Sequence, residues 1–248
     1  MNDSKIIIAN KPVSLTSKDF ADKVKENYNF KKICFCGRLD PMARGEMLLL
    51  ADEMCKFMDE NQKYDKTYQF EIVFGIKTDS DDPLGIFEEI SLNFNKAIVL
   101  EKIINEIKNY PKTFNQDFHK FSSIRINGKP LWLHSKNNNN IKKPKHSVTI
   151  KSTNILNENR YTIESFSQNI IRNIDQIYKK HDLRQELISK NWNKFMIDNE
   201  KINIYSLKVE LTVSSGFYIR QFIRDISNKI NFPLMVYDIN RIKINLNN

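Results

Sequence analysis

The sequence predicts an α+β fold, in which strands and helices mix without the regular alternation that builds a doubly wound parallel sheet. Two stretches carry this prediction. Residues 66–74 alternate apolar and polar side chains, a pattern that is typical of a strand with one buried face. Residues 98–110 instead place apolar side chains at helical spacing. The 248 residues contain no internal repeat and no linker of domain-separating length, so we expect one domain spanning 1–248.

The first elements follow from local patterns. Residues 5–9 favour a strand. A helix is expected next, because Phe20, Val24 and Tyr28 recur at intervals of four and share one helical face. Its candidate N-caps are Ser14, Thr16 and Ser17.

Asp40 lies in a short run between a glycine and an apolar segment at 47–50. Pro41 disfavours helical geometry at Asp40 and can itself occupy the first turn of a following helix. These features predict a rigid strand-to-helix corner with a carboxylate at its apex. Such a carboxylate can cap a helix or act as a nucleophile, and its spacing alone favours the cap.

The second half of the chain predicts two strands with a helical insertion between them. Residues 147–156 and 207–213 carry the strand patterns. The stretch from about 157 to 205 is polar overall but includes apolar residues, so we expect one or two amphipathic helices packed on the main body. Residues 219–230 predict a further helix. The run Asn137–Asn140 has no packing potential and is expected to be a loop tip or disordered.

The composition excludes several classes of protein. A net charge of +9 and a pI near 9.3 favour a polyanionic partner. Three cysteines and four scattered histidines give neither a disulfide framework nor metal-ligand spacing, so no metal is expected. No apolar run reaches membrane-spanning length, and the strand-like start at Ile6 leaves no room for a presequence. We therefore expect a soluble, cytoplasmic protein.

Six segments along the chain carry a family resemblance. They read I-I-I-A-N-K-P-V-S at 6–14, G-R-L-D-P-M-A-R-G at 37–45, K-T-Y at 66–68, G-I-K-T-D-S-D-D at 75–82, F-S-S-I-R-I-N-G-K at 121–129 and S-G-F-Y-I-R at 215–220. In this order they are similar to the motifs of the TruB family of pseudouridine synthases. The resemblance covers most of the chain outside about 157–205.

The resemblance implies a fold and a reaction. The fold is the pseudouridine synthase catalytic fold, a mixed, largely antiparallel sheet flanked by helices, here with a helical insertion. The reaction is the cofactor-free isomerisation of uridine to pseudouridine, with U55 in the T-loop of tRNA as the favoured target. Such an enzyme must take the base out of its stack, break the C1′–N1 bond and rejoin the base through C5.

Three residues match the family's catalytic positions. By resemblance, Asp40 is the nucleophile, Tyr68 is the platform on which the flipped base stacks, and Arg220 is the cation that pairs with Asp40. Without the resemblance, Tyr68 would fit an inward strand face as well, and Arg220 would fit a surface ion pair.

Seven further residues are expected to contact RNA. Phe35 stands where many family members carry a histidine that helps to displace the target base. Asp82 matches a family aspartate near the active site, and Arg224 shares the helical face of Arg220. The candidate phosphate contacts are Lys11, Arg38, Lys66 and Lys129.

Other features set the chain apart from the family pattern. Phe121 replaces an expected tyrosine. The catalytic domain of the family ends near residues 241–244, so we expect no PUA domain, and basic residues of the 157–205 insertion could substitute for it.

Asp79 and Asp81 are expected to be solvated loop acids.

The predicted partner is RNA, with tRNA favoured, and the predicted oligomeric state is a monomer. Two alternatives stay open. One is a pseudouridine synthase that acts on mRNA or rRNA or is guided by an RNA. The other is a non-catalytic RNA-binding protein that folds tRNA.

Overall fold

The computed structural model describes residues 5–136 and 144–246. The strands are β1 (Ile6–Lys11), β2 (Ile33–Cys36), β3 (Ala43–Ala51), β4 (Asp65–Phe74), β5 (Ile76–Thr78), β6 (Phe87–Ile90), β7 (Thr113–Asp117), β8 (Arg125–Ile126), β9 (Lys129–Pro130), β10 (Lys145–Thr162), β11 (Asn203–Val213) and β12 (Leu234–Asn245). The helices are α1 (Ser17–Asn27), α2 (Met58–Asn61), α3 (Lys96–Lys108), α4 (Leu131–Lys136), α5 (Ile163–Asp175), α6 (Gln185–Asp198) and α7 (Ile219–Ile230), and Asp52–Phe57 forms a 3-10 helix.

The central sheet has the strand order β1-β3-β12-β4-β11-β10-β7, with β2 also paired to β3. β12 runs parallel to β3, and the remaining strand pairs of the sheet are antiparallel. Two hairpins, β5–β6 and β8–β9, form small separate sheets. The predicted α+β class with a mixed, largely antiparallel sheet is confirmed.

One face of the sheet is covered by α1, α3 and α7. Tyr68, Phe70, Ile72 and Phe74 of β4 belong to the core on this face, and their alternation is the pattern that predicted the strand. Burying an apolar side chain of this size stabilises the fold by about 1.5–3 kcal/mol. This face also carries the cavity described below.

The reverse face is covered by α5 and α6. Trp192 of α6 is fully buried and belongs to the same cluster as Phe166 of α5 and Val73 of β4. The helices begin later than the predicted 157, because β10 continues to Thr162. Thr162 then caps α5, since its hydroxyl accepts a hydrogen bond from Ser165 N at 3.2 Å.

The strand-to-helix corner expected at Asp40 is wrong. The turn after β2 leads into another strand, and Asp40 O accepts a hydrogen bond from Ala43 N at 3.0 Å within it. Leu48 and Leu49 are both fully buried, so this part of β3 is covered on both faces. A strand of this kind shows no alternation that would distinguish it from a buried helix.

The start of α1 agrees with its predicted caps, whereas its predicted apolar face ends early. Thr16, one of the three predicted candidates, is the N-cap of α1. Tyr28 does not share the apolar face of Phe20 and Val24 as expected, because it lies beyond the end of the helix and is 59% exposed. The asparagine run Asn137–Asn140 lies outside the described residues.

Gly45 lies where the parallel strands β3 and β12 meet. Its φ is +112°, and a Cβ added to it would lie 2.3 Å from Arg241 O and 2.7 Å from Arg241 N. Both atoms belong to backbone that is held in the sheet. A side chain therefore cannot be accommodated here without displacing a central strand.

We expect Gly45→Ala to lower the free energy of unfolding by about 3 kcal/mol or more, because it combines a backbone clash with an unfavourable φ. Gly128→Ala is the matched control: its φ is +77°, but no atom lies within 4 Å of the added Cβ. The control should lose only about 1–2 kcal/mol. Urea unfolding measures both, and equal losses would contradict this account of Gly45.

Candidate active site

A cavity of about 630 Å³ opens on the face of the sheet that carries α1 and α7. Several parts of the chain border it. They include the turn between β2 and β3, the strand β4, residues 121–124, and residues 214–220 that lead into α7. These parts include four of the six motif segments, so the fold brings together motifs that lie far apart in sequence.

Asp40 and Arg220 meet at this cavity. Arg220 Nη2 lies 2.7 Å from Asp40 Oδ1, and the two side chains are 6% and 37% exposed, respectively. Burial acts to lower the pKa of Arg220, but Asp40 and the other nearby carboxylates raise it, so the guanidinium stays charged. The cation is thus enclosed by protein, whereas the carboxylate is open to a ligand in the cavity.

The other side of Arg220 is held by the loop between β5 and β6. Its Nη1 donates a hydrogen bond to Ser80 O at 3.0 Å and lies 3.2 Å from Asp82 Oδ2. Asp82 in turn accepts hydrogen bonds from Ser80 Oγ at 2.6 Å and Leu84 N at 3.0 Å. Burial raises the pKa of Asp82 to about 6, although Arg220 opposes this shift. These contacts hold the Nη1 side of the guanidinium, so that its Nη2 side faces Asp40.

Aromatic side chains form walls of the cavity. Tyr68 of β4 lines it and is 8% exposed. Phe35 of β2 also lines it, and the Arg38 guanidinium carbon lies 5.2 Å from the centre of the Phe35 ring. Phe121 and Tyr218 are further lining residues. Flat rings around an open carboxylate are suited to holding a planar base.

Sequence reasoning overlooked Tyr218 as a site residue. Gln116 holds its backbone on both sides, since Gln116 Oε1 accepts from Tyr218 N at 2.8 Å and Gln116 Nε2 donates to Tyr218 O at 3.0 Å. Burial and the nearby Asp40 raise the pKa of the Tyr218 phenol. The signal that could have found it is its position two residues before Arg220 in the same motif.

Arg241 was also overlooked, and it supports the turn that carries Asp40. The side chain is buried, and its guanidinium donates to Glu46 O at 2.6 Å and to Gly37 O at 3.2 Å. Arg38, the neighbour of Gly37, is exposed at the edge of the cavity. No motif in the sequence marks Arg241 as a support for this turn.

Lys11 and Lys66 were expected to face phosphates, and the structure corrects this. Lys11 is 1% exposed and donates to Pro12 O at 2.8 Å and Leu15 O at 2.7 Å. Lys66 is 4% exposed and donates to Gln62 O at 2.8 Å. Burial lowers the pKa of Lys66 to about 8. Both ammonium groups are bound by carbonyl oxygens and are not free to contact a phosphate.

Arg224 is likewise taken up by the protein. Its Nε lies 2.6 Å from Asp81 Oδ2, and its Nη2 donates to Asp79 O at 3.1 Å. Asp81 is fully buried and also contacts His119 Nε2 at 2.8 Å, while Asp79 pairs with Arg184. The expectation that Asp79 and Asp81 are solvated loop acids is therefore wrong.

The remaining predicted contacts differ in their placement. Asp82 lies beneath Arg220 as described above, so it contacts the catalytic candidate and not the solvent. Lys129 is exposed on the β8–β9 hairpin and does not line the cavity. Of the seven predicted RNA contacts, Phe35, Arg38 and Lys129 keep side chains that an RNA could touch without rearrangement of the protein.

Residues 5–136 and 144–246 contain no group of three or more His, Cys, Asp or Glu side chains that could hold a metal ion. Within the same ranges, no helix has the length and apolar character needed to cross a membrane.

Residues 25–169 match the family described as TruB family pseudouridylate synthase (N terminal domain). The tRNA pseudouridine synthase B of Ureaplasma urealyticum is 32% identical over 227 residues, which span 91% of this chain and 80% of that protein. The tRNA pseudouridine synthase B of Mycoplasma mycoides is also 32% identical, over 67% of this chain and 56% of that protein.

Solved structures share the fold at low identity. One belongs to an H/ACA RNP bound to a substrate RNA containing 2'-deoxyuridine, with a TM-score of 0.55, 13% identity and coverage of 98% of this chain and 48% of that one. Another belongs to a Cbf5-Nop10-Gar1 complex, with a TM-score of 0.56, 14% identity and coverage of 96% and 48%. The chain thus spans about half the length of these structures.

Both the extent of the family match and the identity to these relatives agree with the motifs gathered at the cavity. The chain belongs to the TruB family of pseudouridylate synthases.

Proposed function

We propose that this protein isomerises uridine to pseudouridine in tRNA, at U55 of the T-loop, without a cofactor. The observation that carries the proposal is the 2.7 Å contact between Arg220 and Asp40 at the floor of an aromatic-walled cavity. The names of the relatives, tRNA pseudouridine synthase B, support tRNA as the substrate.

Asp40 acts as the nucleophile in this proposal. Its carboxylate is exposed to the cavity and is oriented by a buried, permanently charged arginine. Attack on the flipped nucleotide divides a difficult rearrangement into two steps, which is the advantage of covalent catalysis. The C1′–N1 bond breaks, the base turns within the cavity, and the C1′–C5 bond forms. The covalent bond to Asp40 breaks and frees its carboxylate, C5 loses its proton and N1 gains one, so the product is an isomer of uridine.

Tyr68 serves as the platform for the flipped base, and Phe35 lines the same cavity. Stacking of a base on an aromatic ring contributes about 1–3 kcal/mol. Phe35 can stack or wedge but has no hydrogen-bonding atom, so it displaces the target base by shape. Arg38 at the edge of the cavity and Lys129 on the β8–β9 hairpin are exposed and supply phosphate contacts.

The protein acts in the cytoplasm as a monomer, and RNA is its partner. One alternative is a synthase that needs a guide RNA, and another is an RNA-binding protein that folds tRNA without catalysis. Conversion of an unmodified tRNA transcript by the purified protein alone would exclude the first. The following substitution addresses the second.

We expect Asp40→Asn to abolish pseudouridine formation while tRNA affinity stays within about twofold, because the nucleophile is lost but the cavity keeps its shape. The measurements are chemical mapping of pseudouridine in a tRNA transcript and a binding titration. Asp59→Asn, an exposed aspartate on α2, is the matched control and should keep full activity. Pseudouridine formation by the Asp40 variant would contradict the proposal.

The buried Lys11 lies close enough to Asp40 for their charges to interact, and its pKa can be tested by the pH dependence of stability. Burial lowers its pKa to about 7, against the opposing effect of Asp40. In the unfolded chain its pKa is near 10.5, so between about pH 7 and pH 10 the unfolded state binds the extra proton. The folded state then gains stability from Lys11 as the pH rises through this range.

We therefore expect the free energy of unfolding of the wild type, relative to Lys11→Met, to increase from pH 7 to pH 10. Urea unfolding of both proteins at three pH values measures this difference. The contributions of the other titrating groups cancel, because the two proteins share them. The control Lys190→Met, at an exposed position of α6, should give a difference that does not change with pH. A flat difference for Lys11→Met would disprove the lowered pKa.

A further inference from the structure

The helices α5 and α6 belong to the stretch outside the motif segments, yet the turn before α6 reaches a loop that supports the candidate active site. Arg184 in this turn pairs with Asp79 through both guanidinium arms. Nη1 lies 2.6 Å from Asp79 Oδ2, and Nη2 lies 3.1 Å from Asp79 Oδ1. A two-armed arginine–carboxylate contact fixes orientation as well as distance.

Asp79 begins the loop that holds Arg220. Its Oδ1 also accepts a hydrogen bond from Ile86 N at 2.8 Å, which closes the loop at its other end. The next residue, Ser80, provides the carbonyl that accepts from Arg220 at 3.0 Å. The position of Asp79 therefore determines where Arg220, and through it Asp40, can lie.

The same guanidinium contacts a second wall of the cavity. The Arg184 guanidinium carbon lies 5.5 Å from the centre of the Phe121 ring. Phe121 lines the cavity and begins the 121–124 segment that borders it. Contacts of this kind between arginine and an aromatic ring contribute about 0.5–2 kcal/mol. One side chain thus joins α6 to two separate elements of the site.

The backbone of Arg184 supports a special role for this position. Its φ is 64° and its ψ is 25°, a left-handed conformation that costs a residue other than glycine about 1–2 kcal/mol. Such conformations persist where surrounding contacts determine them. A second, independent contact joins α6 to the same loop, because Trp192 Nε1 donates to Pro83 O at 3.0 Å.

We infer that Arg184 is a positioning residue for pseudouridine formation, which makes α5 and α6 a brace of the active site. The inference rests on the proposed function. Arg184 was among the basic residues of the insertion that could substitute for an RNA-binding domain. Its side chain is instead held by Asp79 and Phe121, and it acts on the reaction through Arg220.

The test compares kcat and KM for tRNA in Arg184→Gly, Arg184→Ala and Arg184→Lys. Arg184→Gly removes the side chain and relieves the unfavourable backbone conformation, so it can fold where Arg184→Ala does not. We expect kcat to fall about tenfold in both, with KM within about twofold of the wild type, because a small displacement of catalytic groups is costly. Arg184→Lys should recover part of kcat, since it keeps one ion pair.

Arg172→Ala, an exposed arginine on α5, is the matched control and should leave kcat unchanged. Three results would overturn the inference. They are an unchanged kcat with a lowered melting temperature, a raised KM with an unchanged kcat, and an equal loss in Arg172→Ala. If the wild type itself forms no pseudouridine in this assay, the proposed function fails. An active wild type with unaffected Arg184 variants refutes only the role of Arg184.

Discussion

The buried guanidinium of Arg220 is the constraint on which the rest of the site depends. A cation that is 6% exposed is costly unless opposite charges and carbonyl oxygens surround it. Asp40, Asp82 and the carbonyl of Ser80 meet this requirement from two sides. The result is one carboxylate that is held in place yet open to the cavity, which is the arrangement a nucleophile needs.

The fold makes the contact between Arg220 and Asp40 possible by bringing together elements that are distant in sequence. The parallel pairing of β3 and β12 at Gly45 brings Arg241 under the turn that carries Asp40. α7 carries Arg220 on the face of the sheet that α1 and α3 also cover. The first turn of α7 places the Arg220 side chain beside Asp40. On the reverse face, α5 and α6 complete a second core and reach around to the loop beneath Arg220.

Local patterns and motifs predicted much of this architecture, and the failures have physical causes. β4 was predictable because its apolar side chains alternate with polar ones such as Gln69 and Glu71, whereas the buried part of β3 is apolar on both faces and shows no period. Asp79 and Asp81 were expected to be solvated because aspartate side chains are mostly exposed. They instead pair with arginines that lie more than 100 residues further along the chain. Arg184 and Arg224 could not be matched to them without the fold. Family motifs placed Asp40, Tyr68 and Arg220 around one cavity, although no pattern in the residues alone required it.

Substitution of Arg220 by lysine tests the central claim most directly. Lysine keeps the charge but cannot hold Asp40, Asp82 and Ser80 O together, so the account predicts a folded protein that still binds tRNA. Its single-turnover rate of pseudouridine formation should be at least about 100-fold lower than that of the wild type, because the nucleophile is no longer oriented. A lysine variant that forms pseudouridine at the wild-type rate would contradict the account.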